Sequence, residues 1–116
     1  MPTSRPHGFV PGDIVVVPFP YSDRLAEKRR PAVVVSNQQL AAEGFLWVVM
    51  VTAAVNQGKT HDVPIVDRKL SGLVAASIVR PTKIANIVPS RVLRRAGRLS
   101  VTETASVMSV VQAFVR

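Results

Sequence analysis

The chain of 116 residues contains no cysteine. Disulfides and thiolate metal centres are therefore excluded, and cysteine usage says nothing of redox compartment. Histidine is scarce as well: His7 and His61 stand apart with no partner at ligand spacing, so no metal site and no cofactor is expected. Aromatic residues make up only 5% of the chain. No apolar run approaches the ~20 residues of a membrane span. Residues 1–8 lack the apolar stretch of a signal peptide, which makes a cytoplasmic location the default expectation. Neither a glycine-rich phosphate loop nor a nucleophile elbow is found.

Negative charge is also in short supply. Seven Asp+Glu stand against fifteen Lys+Arg, a formal net charge of +8, and eleven of the fifteen cations are arginine. The planar guanidinium donates two hydrogen bonds at once and is the better phosphate ligand. A small domain this basic expects a polyanion or an acidic protein as partner, with a merely soluble basic surface as the plainer alternative. Hydrophobic content of 47% at this length supports one core without staples. Residues 1–10 read as a flexible tail and 11–116 as a single domain.

The chain is organised around residues 12–37. Two β-branched runs, Ile14 to Val17 and Ala32 to Val35, read as buried strands bracketing a polar loop over Tyr21 to Arg29. Pro31 brings no ladder donor and pushes Arg30 toward extended geometry. Arg30 is thus expected at a rigid junction of loop and strand, with the second strand over Pro31 to Ser36. Residues 37–44 suggest a helical turn closed by Gly44. Phe45 to Thr52 reads as a central strand, Asp62 to Val66 as a short one, and Gly72 to Arg80 as another stopped by Pro81. Lys83 to Val88 suggests one more strand. A helical turn is read over Arg91 to Gly97, capped by Ser90, which would put Arg91, Arg94, Arg95 and Arg98 on one basic face. Ser100-Val-Thr-Glu103 is a capping box. It opens a final helix over 101–115 with Val101, Ala105, Met108, Val111 and Val115 toward the sheet. Short strands and one closing helix predict an α+β domain whose sheet curls into a small barrel.

The chemistry available is that of arginine, hydroxyls and a few carboxylates. Such a set acts on RNA without a metal, because the neighbouring 2′-OH is the nucleophile. The protein then needs only to orient it, move a proton and neutralise charge growing on phosphorus. Arg30 suits the last task. Thr52 ends an apolar strand, where residues emerge at a sheet rim. Glu27 is the one carboxylate near the arginines that precede Pro31.

At these residues the sequence resembles the MazF/PemK family of toxins from type II toxin–antitoxin systems. Gly12-Asp-Ile-Val-Val-Val17 and Arg30-Pro-Ala-Val-Val-Val-Ser36 are similar to the family's opening motifs at the usual separation. Thr52 closes the strand where the family has its Thr/Ser-bearing segment. Gly72-Leu73 with Ser77-Ile-Val-Arg80, and Ile87 to Ser100 before the last helix, resemble the family's later segments. The resemblance runs from residue 11 over nearly the whole chain.

It implies an SH3-like small β-barrel (CcdB/MazF/PemK-like) with a C-terminal helix, acting as a homodimer. It also implies an endoribonuclease, an mRNA interferase that cuts single-stranded RNA at short sequences without metal, leaving a 2′,3′-cyclic phosphate and a 5′-OH. The implied partner is an antitoxin with an acidic disordered tail, and operator DNA would be met only through that complex. Arg30 matches the catalytic arginine, Thr52 the catalytic Thr/Ser, and Arg80 an arginine serving as acid or phosphate ligand, with Glu27 as candidate base. The candidate RNA contacts are Tyr21, Arg24, Lys28 and Arg29 before the second strand, Asn56, Lys59 and His61 after the third, and Lys83. This chain has Thr82 where the PemK/Kid branch has an Asp two residues after the arginine. The alternative is a non-catalytic toxin or nucleic-acid-binding module on the same barrel, such as a CcdB-like gyrase inhibitor. The terminal Val-Gln-Ala-Phe-Val-Arg departs from the Trp-Gly-Ile-like ending of that type.

Overall fold

The β-branched runs pair into one curled antiparallel sheet. The computed structural model describes residues 8–19 and 28–116. Its strands are β1 (Asp13–Phe19), β2 (Lys28–Val34), β3 (Leu46–Ala53), β4 (Val63–Ile65), β5 (Ser77–Ile87) and β6 (Arg94–Arg98), in the spatial order β4-β5-β3-β2-β1-β6. β3, apolar on both faces, lies inside the sheet as its composition demands. Because side chains alternate across a strand, its residues feed two cores. Val49 and Val51 join Ile14, Val33 and Val79 on one face, and Leu46, Val48 and Met50 join Val15, Val17 and Ala32 on the other.

Among the described residues three α-helices complete the fold: α1 (Gln38–Ala42), α2 (Arg68–Ser71) and α3 (Val101–Val115). Asn37 caps α1 by accepting from the Leu40 amide at 3.2 Å, and Gly44 closes the turn at φ +94°, as the sequence suggests. α3 has the bounds and the capping box read from the sequence. The architecture is the expected α+β one, a curled sheet with a C-terminal helix.

Several local expectations are corrected. Pro81 does not stop a strand. β5 runs through it because the register with β3 jumps from Met50↔Arg80 to Val49↔Ile84, so residues 81–83 form an irregularity. There the missing N–H of a proline costs no ladder bond. The helical turn expected over residues 91–97 does not form beyond Arg91. Pro89–Arg91 make a 3-10 turn, the Leu93 amide donates to the Val16 carbonyl at 2.9 Å, and residues 94–98 then pair with β1 as the edge strand. The four arginines therefore do not share a helical face, and Arg95 instead holds the buried Asp13 at 2.8 Å.

The strand expected from Gly72 begins only at Ser77, and α2 ends just before Gly72. Asp67 caps this helix through the Leu70 amide, and Gly72 ends it at φ +70°, where a Cβ would collide with the Ala96 carbonyl. Finally, the buried stripe of α3 is Glu103 and Val107, with Met108 and Val111 beside them. Val101 and Val115 stay largely exposed, at 88% and 67%. Glu103 is inside because it is needed there: its carboxylate accepts from the amides of Ser100, Val66 and Asp67, tying α3 to the turn after β4.

Candidate active site

The direction of the backbone groups along β2 decides where a pocket opens. The Val34 carbonyl accepts from Gly12 on the β1 side, whereas the Val35 amide donates to Trp47 on the β3 side. Alternation then turns the backbone nitrogen of residue 31 toward β3. A proline stands there and has no hydrogen to give. The β2–β3 pairing accordingly ends at Ala32↔Met50, and beyond it the two strands part. The space between them is a pocket of about 390 Å³ lined by Arg30, Pro31, Met50, Thr52, Asn56 and Ser77, with Val51, Ala53 and Ala75 filling its wall.

Extending the register by two residues puts Arg30 opposite Thr52, on the face that carries Ala32 and Met50. Arg30 lies within β2, opposite Val17 of β1, rather than at the loop junction expected for it. Its neighbours Lys28 and Arg29 are exposed beside it on the same strand. Cation and hydroxyl thus meet across a gap that can admit a ligand.

Thr52 is braced from behind. The Asn56 side-chain amide donates to Thr52 Oγ1 at 2.9 Å. Asn56 ends a 3-10 turn (Ala54–Asn56) that leaves β3 directly, and its carbonyl accepts from Arg80 Nη2 at 2.8 Å. Arg80 in turn makes a two-pronged pair with Asp62, Nε to Oδ1 and Nη2 to Oδ2, both 3.0 Å. Asp62 also accepts from the amides of Gly58 and Lys59. The Asp62 side chain is 2% exposed and that of Arg80 15%.

The hydrogen bonds from Arg80, opposed by burial and helped by the two amides, lower the Asp62 carboxyl from 3.8 to about 2. The same pairing raises Arg80. A group whose folded pKa is depressed stabilises the fold above its unfolded pKa and loses that contribution as pH falls through the folded value. Asp62 therefore contributes roughly 2 kcal/mol near neutrality, lost as pH drops from about 4 toward 2. Urea titrations across that window should show an acid limb that flattens by this amount in Asp62→Asn.

Of the residues singled out from sequence, Arg30, Thr52 and Asn56 come together at this pocket. Arg80 is near but faces Asp62 and does not line it. Lys59 and His61 lie on the exposed turn beyond Asn56, His61 edge-on to Phe114 of α3 with ring centroids 5.2 Å apart. Lys83 sits in the β5 irregularity. Tyr21, Arg24 and Glu27 lie outside the described residues. Sequence reasoning missed the pocket residue Ser77, whose hydroxyl donates to the Ala75 carbonyl at 2.9 Å, and the bracing carboxylate Asp62. The only hint of Asp62 was its place two residues before Pro64 at the head of a short strand.

Among the described residues no three His, Asp or Glu side chains gather as a metal site requires, and no helix is long and apolar enough to cross a membrane.

Residues 10–115 match the family described as the PemK-like, MazF-like toxin of type II toxin–antitoxin systems. The chain belongs to that family. Among solved structures it resembles the Mycobacterium tuberculosis toxin MazF-mt6, with TM-score 0.68, 22% identity, and coverage of 88% of this chain and 95% of that one. It also resembles MazF in a MazE–MazF crystal from Deinococcus radiodurans, with TM-score 0.71, 19% identity, and coverage of 91% and 94%. A third likeness is to a mycobacterial endoribonuclease solved with its cognate antitoxin, with TM-score 0.67, 12% identity, and coverage of 92% and 97%. No significant match is found among curated sequences. At these identities the MazF structures share the curled sheet and C-terminal helix with this chain, and the pocket is argued from its own residues.

Proposed function

We propose that this MazF/PemK family member is an endoribonuclease that cuts single-stranded RNA at short sequences without a metal ion. The observation that carries the reading is Arg30 facing Thr52 across the pocket that opens where Pro31 ends the β2–β3 ladder. In the reaction the RNA 2′-oxygen attacks the adjacent phosphorus and the bond from phosphorus to O5′ breaks. The 2′-OH proton leaves to a base and a proton is delivered to O5′, giving a 2′,3′-cyclic phosphate and a 5′-OH. Arg30 neutralises charge growing on the phosphoryl oxygens, and a donor placed in advance for that charge is where such enzymes gain most. Thr52 binds a phosphoryl oxygen or the 2′-OH. Arg80, engaged with Asp62, acts through the turn it holds rather than as the proton donor. Glu27, three residues ahead of Arg30, is the candidate base.

Lys28 and Arg29, continuing the basic strand, and the turn carrying Lys59 and His61 are the proposed backbone track for RNA. The proposed protein partners are an acidic antitoxin tail, competing for the same positive surface, and a second copy of this chain. The second copy would cover the apolar face of Trp47, Ile84 and Val115, which are 44%, 50% and 67% exposed. A monomer by analytical ultracentrifugation at micromolar concentration would remove that last element. Cytoplasmic location and operator binding through the antitoxin complex follow from the same reading.

The test is incubation of purified protein with a long single-stranded RNA in EDTA. Discrete fragments whose ends share one short sequence are expected. Intact RNA, or cleavage only on adding Mg²⁺, would overturn the reading, and trapped gyrase–DNA complexes without RNA cleavage would replace it with gyrase poisoning.

A further inference from the structure

A threonine hydroxyl has one proton to give and two lone pairs to offer, and it rotates to suit its partners. At Thr52 one lone pair is already occupied, because the Asn56 side-chain nitrogen donates to Oγ1 at 2.9 Å. The Thr52 proton therefore points away from Asn56, toward the pocket that both residues line with Arg30. A hydroxyl so fixed donates to an anionic phosphoryl oxygen.

Asn56 is itself held in place. It stands four residues after Thr52, at the end of the 3-10 turn that leaves β3. Its carbonyl is gripped by Arg80 Nη2 at 2.8 Å, and Arg80 is clamped to Asp62, which also collects the amides of Gly58 and Lys59. Extending the β4–β5 register by one residue from Val63↔Val79 puts Asp62 opposite Arg80, so the clamp is anchored on two paired strands. The whole turn from 54 to 62 is thereby fixed relative to the end of β3.

We infer that Asn56 is a positioning residue. Its amide, held from behind by the Arg80–Asp62 pair, commits the Thr52 hydroxyl to act as a hydrogen-bond donor toward bound phosphate. The inference rests on the ribonuclease reading and assigns Thr52 to one of the two roles left open there. It also gives Arg80 and Asp62 a task at a distance from the reacting atoms.

A double-mutant cycle on RNA cleavage tests this. Asn56→Ala should lower kcat by about 10-fold with KM changed less than threefold, because ground-state contacts to the RNA remain while the donor loses its aim. In a Thr52→Ala background the same change should lower kcat less than twofold, since there is no hydroxyl left to aim. Asn56→Asp presents an acceptor in place of the donor, captures the Thr52 proton, and should fall below Asn56→Ala in kcat. Thermal melting of each variant reports folding separately. Losses that multiply in the double variant, or Asn56→Asp with wild-type kcat, would overturn the positioning role while leaving the nuclease intact. Absence of cleavage by the wild-type protein would instead sink the ribonuclease reading, and this inference with it.

Discussion

Arg30→Ala should reduce RNA cleavage by about 10²–10³-fold while the thermal midpoint stays within about 2 °C. The two halves follow from one fact, that Arg30 extends from a strand whose packing is done by others. Val17, opposite it, and Ala32, two residues on, are fully buried, whereas Arg30 is exposed at the pocket. Deleting the guanidinium removes the charge proposed to meet the transition state, and little apolar contact. Arg30→Lys keeps the charge and loses the planar fork, so it should restore only part of the rate. A loss below tenfold in Arg30→Ala, measured under single-turnover conditions, would mean that the pocket cation is a binding residue and that the charge on phosphorus is met elsewhere.

Glu103→Ala should cost stability rather than activity, by about 3 kcal/mol. That corresponds to a fall in thermal midpoint on the order of 10 °C. Burial pushes the Glu103 carboxyl up, yet its hydrogen bonds from the Ser100, Val66 and Asp67 amides and the Ser100 side chain outweigh that and hold it below the ordinary value. The alanine leaves three amides without their acceptor and unties α3 from the turn between β4 and α2. Because the folded value is depressed, this contribution is present above the unfolded pKa and fades as pH falls through the folded one. A drop under about 1 kcal/mol by urea denaturation at pH 7 would show that the carboxylate is only a surface cap.

Much of this was legible in the residues. The strand runs at 14–17, 32–35 and 45–52 are β-branched and apolar, and their composition alone sets them inside a sheet. Ser100 and Glu103 announced α3 because a capping box is local chemistry. What escaped was decided by pairing. Arg91 to Gly97 has the letters of a capped helical turn, but the free edge of β1 recruits Arg94–Arg98 as a strand. β5 survives Pro81 because the opposing register slips there.

The apolar stripe expected on α3 holds at Met108 and Val111, which pack against the core, and fails at its two ends. Tertiary need buries Glu103, an acid, and leaves Val101 and Val115 outside.

The site divides in the same way. Arg30 and Thr52 stood out as a strand-bound cation and a rim hydroxyl. That they face each other depends on which way one proline nitrogen points. Asp62 and Ser77 depend on register alone and left almost no mark in the sequence.

The most direct measurement substitutes a single 2′-deoxynucleotide on the 5′ side of a mapped cut in an otherwise unchanged RNA, with EDTA present throughout. If Arg30 and Thr52 assist attack by the neighbouring 2′-oxygen, cleavage at that position disappears while other sites are cut at their usual rate, and the natural RNA yields a 2′,3′-cyclic phosphate. Cleavage of the deoxy position at an undiminished rate would show that a different nucleophile is at work and would contradict the mechanism drawn from this pocket.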